Sequence, residues 1–291
     1  MYEKFYGFKE QPFSLMPDPE FLYLGDRHSE ALSLLEYGLL HRAGMVLITG
    51  QIGCGKTTLI RRLLRNQENE FVVGNITNTH HSFGELLKWV ALALGLEYKG
   101  KEKVELYEAL IAFLKEQHAV GKRVVLVIDE AQNLTPQALE ELRMLSNINV
   151  DKDQLLQIIL VGQPELRELL LDPALKQLAQ RISVDYYLEP LSPRETFEYV
   201  RHRLAVSGGD PDLFDIEAIK EVFMASQGIP RLINTICDTA LVYGYAENAE
   251  RITADIVAEV VRDKTRGNIL PIGSQRDIAA SPATEMEHVV V

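Results

Sequence analysis

Gly50-Gln-Ile-Gly-Cys-Gly55-Lys56-Thr57 is the stretch from which the architecture can be read. It carries the full phosphate-loop pattern, and it stands in the right context, after the apolar run Met45 to Thr49 and before a helical period from Lys56. Glycines let the chain turn its backbone N–H groups onto phosphate oxygens, and the following helix adds positive potential at its N-terminus. Lys56 is placed to reach the β and γ phosphates of a nucleotide, and Thr57 to offer its hydroxyl to Mg²⁺. Gly50, Gln51, Ile52, Gly53, Cys54, Gly55 and Thr58 complete the expected ATP cradle.

Working outward, Phe71 to Ile76, Val124 to Ile128, Leu156 to Val161 and Ile182 to Leu188 repeat the apolar, strand-length character of Met45 to Thr49. Helical patterns separate them. Thr135 before Pro136 predicts a capped helix start, and Ser82-Phe-Gly-Glu85 has the capping-box spacing. Continuous apolar strands divided by helices predict an α/β fold with a five-stranded parallel sheet covered on both faces. The run Val124-Val-Leu-Val-Ile128-Asp129-Glu130 ends in adjacent carboxylates. Asp129, at the strand's end, is placed to hold the magnesium shell, and Glu130 to act as general base on a water in line with the γ phosphate.

After Leu191 the strand signal stops. Ser192-Pro-Arg-Glu195 is a capping box, Asp215 a candidate cap, and Thr253 opens a last helix, so the C-terminal part reads as a helical lid. The expected division is an N-terminal aromatic and proline segment with a helix (1–43), an α/β core (44–191), a lid (192–265) and a disordered tail (266–291) rich in Gly, Pro, Ser and Ala. Nucleotide is expected between core and lid, with the N-terminal aromatic and proline segment packing near adenine. A formal net charge of -12 weighs against a protein built mainly to wrap nucleic acid, which needs clustered Lys and Arg. Two cysteines, Cys54 and Cys237, make neither a disulfide framework nor a metal-ligand spacing and suit a reducing compartment. There is no signal-peptide pattern and no run near the ~18 apolar residues of a membrane span, so a cytoplasmic protein is expected.

The phosphate loop, Ile128-Asp-Glu-Ala-Gln132 and Gly228-Ile-Pro-Arg231 resemble the AAA+ P-loop NTPases. The aromatic start, Tyr2-Glu-Lys-Phe5-Tyr-Gly-Phe8 with Pro12-Phe13, Pro17-Asp-Pro19 and Phe21-Leu-Tyr23, looks like the general secretion pathway protein A group, the ExeA-type ATPases. ATPases found beside exopolysaccharide loci are similar, as are, more distantly, transposition ATPases. The resemblance implies a Mg-dependent ATPase that assists an export, secretion or exopolysaccharide system, with a protein partner in the envelope and a homo-oligomer in the ATP state. The alternative it leaves open is a DNA-associated ATPase regulating transposition. Full secretion-pathway proteins of this type continue into a membrane span and a peptidoglycan-binding region, so a chain ending at Val291 is expected to be a soluble relative.

By the same resemblance, Arg231 is the sensor-2 arginine, the alternative being a surface arginine after a Gly-Pro turn. Gln163 takes the sensor-1 position, where Asn or Thr is usual. Arg181, before the fifth strand, takes the place of an arginine finger or of a salt-bridging surface residue. Asn75 or Thr77 is placed to restrain Glu130. His80-His81 reads as a loop rather than a metal site, and Arg61, Arg62 and Arg65 read as a solvated helix face at least as well as a DNA contact.

Overall fold

A computed structural model describes residues 1–16, 18–65, 70–77, 85–150 and 153–266. The five apolar runs form β1 (Met45–Gly50), β2 (Phe71–Ile76), β3 (Arg123–Ile128), β4 (Leu156–Gly162) and β5 (Ile182–Leu188). They make one parallel sheet in the order β2-β3-β4-β1-β5. Every residue of β1 and β4 is buried, whereas the edge strands β2 and β5 alternate between buried and open positions. Their sequences follow: the inner strands are nearly all apolar, and the edges carry Asn75, Ser183 and Asp185.

The helices are α1 (Tyr2–Tyr6), α2 (Asp26–Leu40), α3 (Lys56–Arg65), α4 (Leu86–Ala93), α5 (Lys103–Ala119), α6 (Pro136–Leu145), α7 (Pro164–Leu170), α8 (Lys176–Ala179), α9 (Pro193–Val206), α10 (Ile216–Ser226), α11 (Pro230–Ala246) and α12 (Ala254–Arg266). On one face of the sheet Met45, Leu47, Leu126, Ile158 and Leu160 share a core with Val90, Leu110 and Leu142. On the other, α2 lies so close that a Cβ on Gly38 would stand 2.9 Å from Val46 and 3.1 Å from Val184. Gln157, a polar residue inside β4, is 2% exposed, and its amide donates to the carbonyls of Leu39 at 3.2 Å and Ala43 at 3.3 Å. It thereby adds a donor to carbonyls at and just beyond the end of α2.

The chain splits into two compact units, one of Ser29–Ile52 and Leu59–Leu188, the other of Met1–His28, Gly53–Thr58 and the chain from Glu189 onward. The N-terminal segment is thus divided. Its aromatics complete the helical unit's core: Tyr2 (5% exposed), Phe8 (7%) and Phe13 (1%) pack with Leu204, Phe214, Ile236 and Val257. Phe13 meets Phe214 edge-on at 6.0 Å, and the Tyr2 hydroxyl donates to Asp238. These rings belong to the helical unit's core. The segment thereby adds its apolar surface to the core that the four C-terminal helices share.

The expected caps form at Thr135, whose hydroxyl accepts from the Ala138 N–H at 3.1 Å, and between Ser192 and Glu195. Asp215 heads α10 without capping it, because its carboxylate pairs with Arg251 at 3.1 Å. Residues 82–84 of the Ser82–Glu85 box, His80-His81 and the tail from Gly267 lie outside the described residues, and α4 begins at Leu86. A short antiparallel pair, Asn149–Val150 with Asp153–Gln154, and the long helix α5 were not anticipated.

Gly228 has φ +72° and its carbonyl accepts from the Leu191 N–H at 2.9 Å; a Cβ there would stand 1.9 Å from the Leu191 oxygen. Gly7 has a similar φ of +77° with nothing within 4 Å. Gly7→Ala should therefore cost only the left-handed strain, about 1 kcal/mol, and Gly228→Ala roughly 2 kcal/mol more from the clash. Denaturant unfolding followed by circular dichroism measures both. Equal losses would show that the Leu191 contact constrains nothing.

Candidate functional site

β1 runs out at Gly50, and the loop that follows turns through Gly53 (φ +84°) and Gly55 (φ +95°) before α3 starts at Lys56. Gln51 and Ile52 are exposed, Gly53, Gly55, Thr57 and Thr58 half-buried, and Cys54 wholly buried as a free thiol. Lys56 is 7% exposed, an ammonium largely out of water at a helix N-terminus. Left-handed glycines leading into a helix form an anion-binding nest, and a buried cation beside it suits a polyphosphate. Thr57 and Asp129 supply hard oxygen donors of the kind Mg²⁺ takes.

Contacts from outside help to hold the loop. The Cys54 carbonyl faces His28 Nε2 at 3.1 Å, and the Gly53 carbonyl accepts the Arg231 backbone N–H at 3.2 Å. A Cβ on Gly53 would stand 2.6 Å from the Arg231 Cβ, so that approach needs glycine. Arg231 sits in the first turn of α11 with its side chain exposed. His28 has no motif around it and escaped the sequence reading. It is 3% exposed, and because Nε2 must donate to the carbonyl, Nδ1 is the deprotonated nitrogen, buried with no hydrogen-bond partner among the described residues.

In the sheet unit a second cluster follows β3. The Asp129 N–H donates to the Ile76 carbonyl at 2.9 Å, and Asp129 Oδ1 accepts the Glu130 N–H at 2.9 Å. Glu130 is left-handed, φ 53° and ψ 40°, an uncommon state for a residue with a side chain. Its Oε2 accepts from the amides of Gln132 at 2.6 Å and Gln163 at 3.0 Å. Gln163 stands at the end of β4 and heads α7. Gln132 and Gln163 supply these two contacts. Asn75 is exposed and lies opposite Val127 in the β2–β3 register.

The expected site residues thus resolve into a loop cluster in the helical unit and an acidic cluster in the sheet unit. Arg181 joins neither. It is exposed, has no ion-pair partner among the described residues, and precedes β5 at the sheet's amino edge. A further ion pair was invisible in sequence: Arg167 of α7 forks onto Asp185 of β5 and donates to Thr49, which is fully buried in β1. Arg61 and Arg65 are exposed and Arg62 half-buried, while Leu59, Ile60, Leu63 and Leu64 bury the opposite face of α3.

Residues 39–170 match the AAA domain family. Together with the sheet order and the helical region, this gives the chain the AAA+ P-loop fold. It resembles General secretion pathway protein A of Aeromonas hydrophila, with 44% identity over 253 residues, 87% of this chain and 46% of that protein. The chain therefore spans about half the length of that relative or less. A shorter match is 30% identical over 101 residues to the Mu-like prophage FluMu DNA transposition protein B of Haemophilus influenzae, covering 35% of this chain and 33% of that one. Among solved structures, the Aeropyrum pernix ORC2 protein superposes with TM-score 0.66 at 17% identity, over 88% of this chain and 72% of that one, a likeness of fold. Among the described residues no helix is long and apolar enough to cross a membrane.

Burial lowers the His28 pKa below its ordinary 6.5, against the opposing pull of the Cys54 carbonyl and the Glu195 carboxylate. A base whose folded pKa is depressed stabilises the fold above its unfolded pKa, and that stability is lost as pH falls below it. The melting temperature of the parent should drop between about pH 7 and pH 5, and His28→Gln, which keeps a donor but cannot titrate, should drop less. Parallel pH curves would remove His28 from the account.

Proposed function

We propose that this chain binds Mg-ATP and hydrolyses it to ADP and phosphate, in the service of an export, secretion or exopolysaccharide assembly system. The observation that carries the reading is the complete phosphate loop leading into buried Lys56, joined in one chain with the carboxylate pair that ends β3. In the proposed roles, the loop from Gly50 to Thr58 cradles the phosphates and Lys56 meets their charge. Thr57 and Asp129 hold Mg²⁺, which when bound neutralises charge on the β and γ phosphates. Glu130 accepts a proton from the attacking water as the new oxygen–phosphorus bond forms and the bond to the bridging oxygen breaks. Arg231 carries the lid's response to the γ phosphate, and Gln163 orients groups around it.

Arg181 is proposed to act on a neighbouring subunit. The parallel sheet supports this: Arg181 stands at the amino edge, while Asp129, Glu130 and Gln163 emerge from the carboxyl edge. Seven residues of β5 span roughly 20 Å, beyond the reach of one arginine side chain. Its exposed guanidinium is left for a partner copy, where such fingers contribute about 10³-fold or more in phosphoryl transfer. The export role rests on the 44% identity to General secretion pathway protein A, and a protein partner in the envelope follows from it.

The match to a DNA transposition protein favours a second reading, a DNA-associated ATPase, against which the net charge of -12 weighs. Anisotropy at physiological salt should find duplex DNA bound no better than about micromolar. Tight, ATP-dependent binding with a steep salt slope would reverse the order of the two.

The proposal is tested by phosphate release from single and mixed variants. Lys56→Ala should lose ATP binding and turnover together. Arg181→Ala and Glu130→Gln should each bind ATP and turn over at least ~10²-fold more slowly. Mixed together they should regain part of the parent rate, because one subunit lends its arginine to another's glutamate. No recovery in mixtures shown to co-assemble would return Arg181 to an ordinary surface residue, and parent-like activity in Lys56→Ala would overturn the nucleotide site.

A further inference from the structure

We propose that Gln132 is the positioning residue for Glu130, clamping the catalytic carboxylate to the β4–α7 junction; this rests on Glu130 being the general base. The amide of Gln132 is used at both ends. Its Nε2 donates to Glu130 Oε2 at 2.6 Å, and its Oε1 accepts the backbone N–H of Gln163 at 3.1 Å. That N–H belongs to the residue heading α7, among the helix-terminal donors that no internal carbonyl can satisfy. Reversing the amide would set oxygen against oxygen and N–H against N–H, so both partners fix its orientation.

The backbone explains how a residue two places beyond Glu130 can reach its carboxylate. Glu130 is left-handed, and a short 3₁₀ turn, Ala131–Asn133, follows at once, closed by the Asn133 N–H on the Glu130 carbonyl at 3.0 Å. A left-handed glutamate is strained and persists where its surroundings over-determine it. Gln163 adds a second amide donor to the same Oε2 at 3.0 Å. Two convergent donors on one oxygen fix the plane of the carboxylate. Gln163 can do this only while its own backbone is held, and Gln132 holds it. Glutamine is the side chain that serves here: glutamate would set a second negative charge against Glu130, asparagine is one methylene short, and methionine has the length but neither the donor nor the acceptor.

The test compares the full chain with Gln132→Met, Gln132→Glu, Glu130→Gln and the Gln132→Met/Glu130→Gln double variant. It reads kcat and KM for Mg-ATP, the Kd of a fluorescent ATP analogue, and the melting temperature. A misplaced catalytic group costs on the order of 10- to 100-fold in rate. Gln132→Met should lose about that in kcat, with Kd unchanged within about twofold, and should add nothing to the loss in Glu130→Gln, because it acts only through that carboxylate. If Gln132→Met proves unstable, Gln132→Glu keeps the acceptor for the Gln163 N–H and should fold yet lose turnover. A Gln132→Met rate within about twofold of the parent, a loss that multiplies that of Glu130→Gln, or a fall in ATP affinity of the same size overturns the proposal while leaving Glu130 as base. A Glu130→Gln variant as fast as the parent, or a parent without turnover, removes the base assignment and this proposal with it.

Discussion

A loop that turns its N–H groups toward a polyanion must send carbonyls the other way, and those carbonyls need partners from outside the loop. Here they have them: His28 donates to Cys54, and the first turn of α11 donates through Arg231 to Gly53. Both contacts are built from parts that look unrelated in sequence. His28 sits early in α2, where burial keeps it neutral with one tautomer, and Arg231 follows the tight Gly228 turn that the Leu191 backbone closes over. The loop is thereby tied to the same element that carries the candidate sensor arginine. Any shift of the start of α11 is felt at Gly53 directly.

In the sheet the corresponding constraint is the order of strands. β1 lies between β4 and β5, with the chain leaving it for the far edge at β2 and returning through β3. Ligands of open α/β sheets bind outside the carboxyl ends of the strands, at the point where the winding reverses. The loop after β1, the acids after β3 and Gln163 after β4 all leave from that edge. The Arg167 fork to Asp185, with its bond to Thr49, braces α7, β5 and the end of β1 against one another on the same side.

Strand identities were legible because apolar runs of strand length admit few alternatives: Phe71–Ile76 and Ile182–Leu188 are the segments the pattern marks. The phosphate loop and Asp129-Glu130 were legible because the motif fixes their spacing to a strand end. What stayed hidden depends on tertiary packing. Tyr2, Phe8 and Phe13 announce themselves as aromatic, but nothing local says that they fill the helical unit. Asp215 has the right residue type for a cap, and Arg251, far along the chain, takes its carboxylate. Gln132 touches two partners that local sequence does not join, Glu130 two residues before it and Gln163 at the head of α7.

The claim on which the rest hangs is that Glu130 makes this nucleotide site hydrolytic. A single-turnover quench with Mg-ATP held below the concentration of sites tests it most directly. The parent should convert its bound ATP to ADP, while Glu130→Gln should bind the same amount and hold it as ATP, at least ~10²-fold slower. Conversion by Glu130→Gln at the parent rate, or a parent that leaves bound ATP intact, would contradict the account.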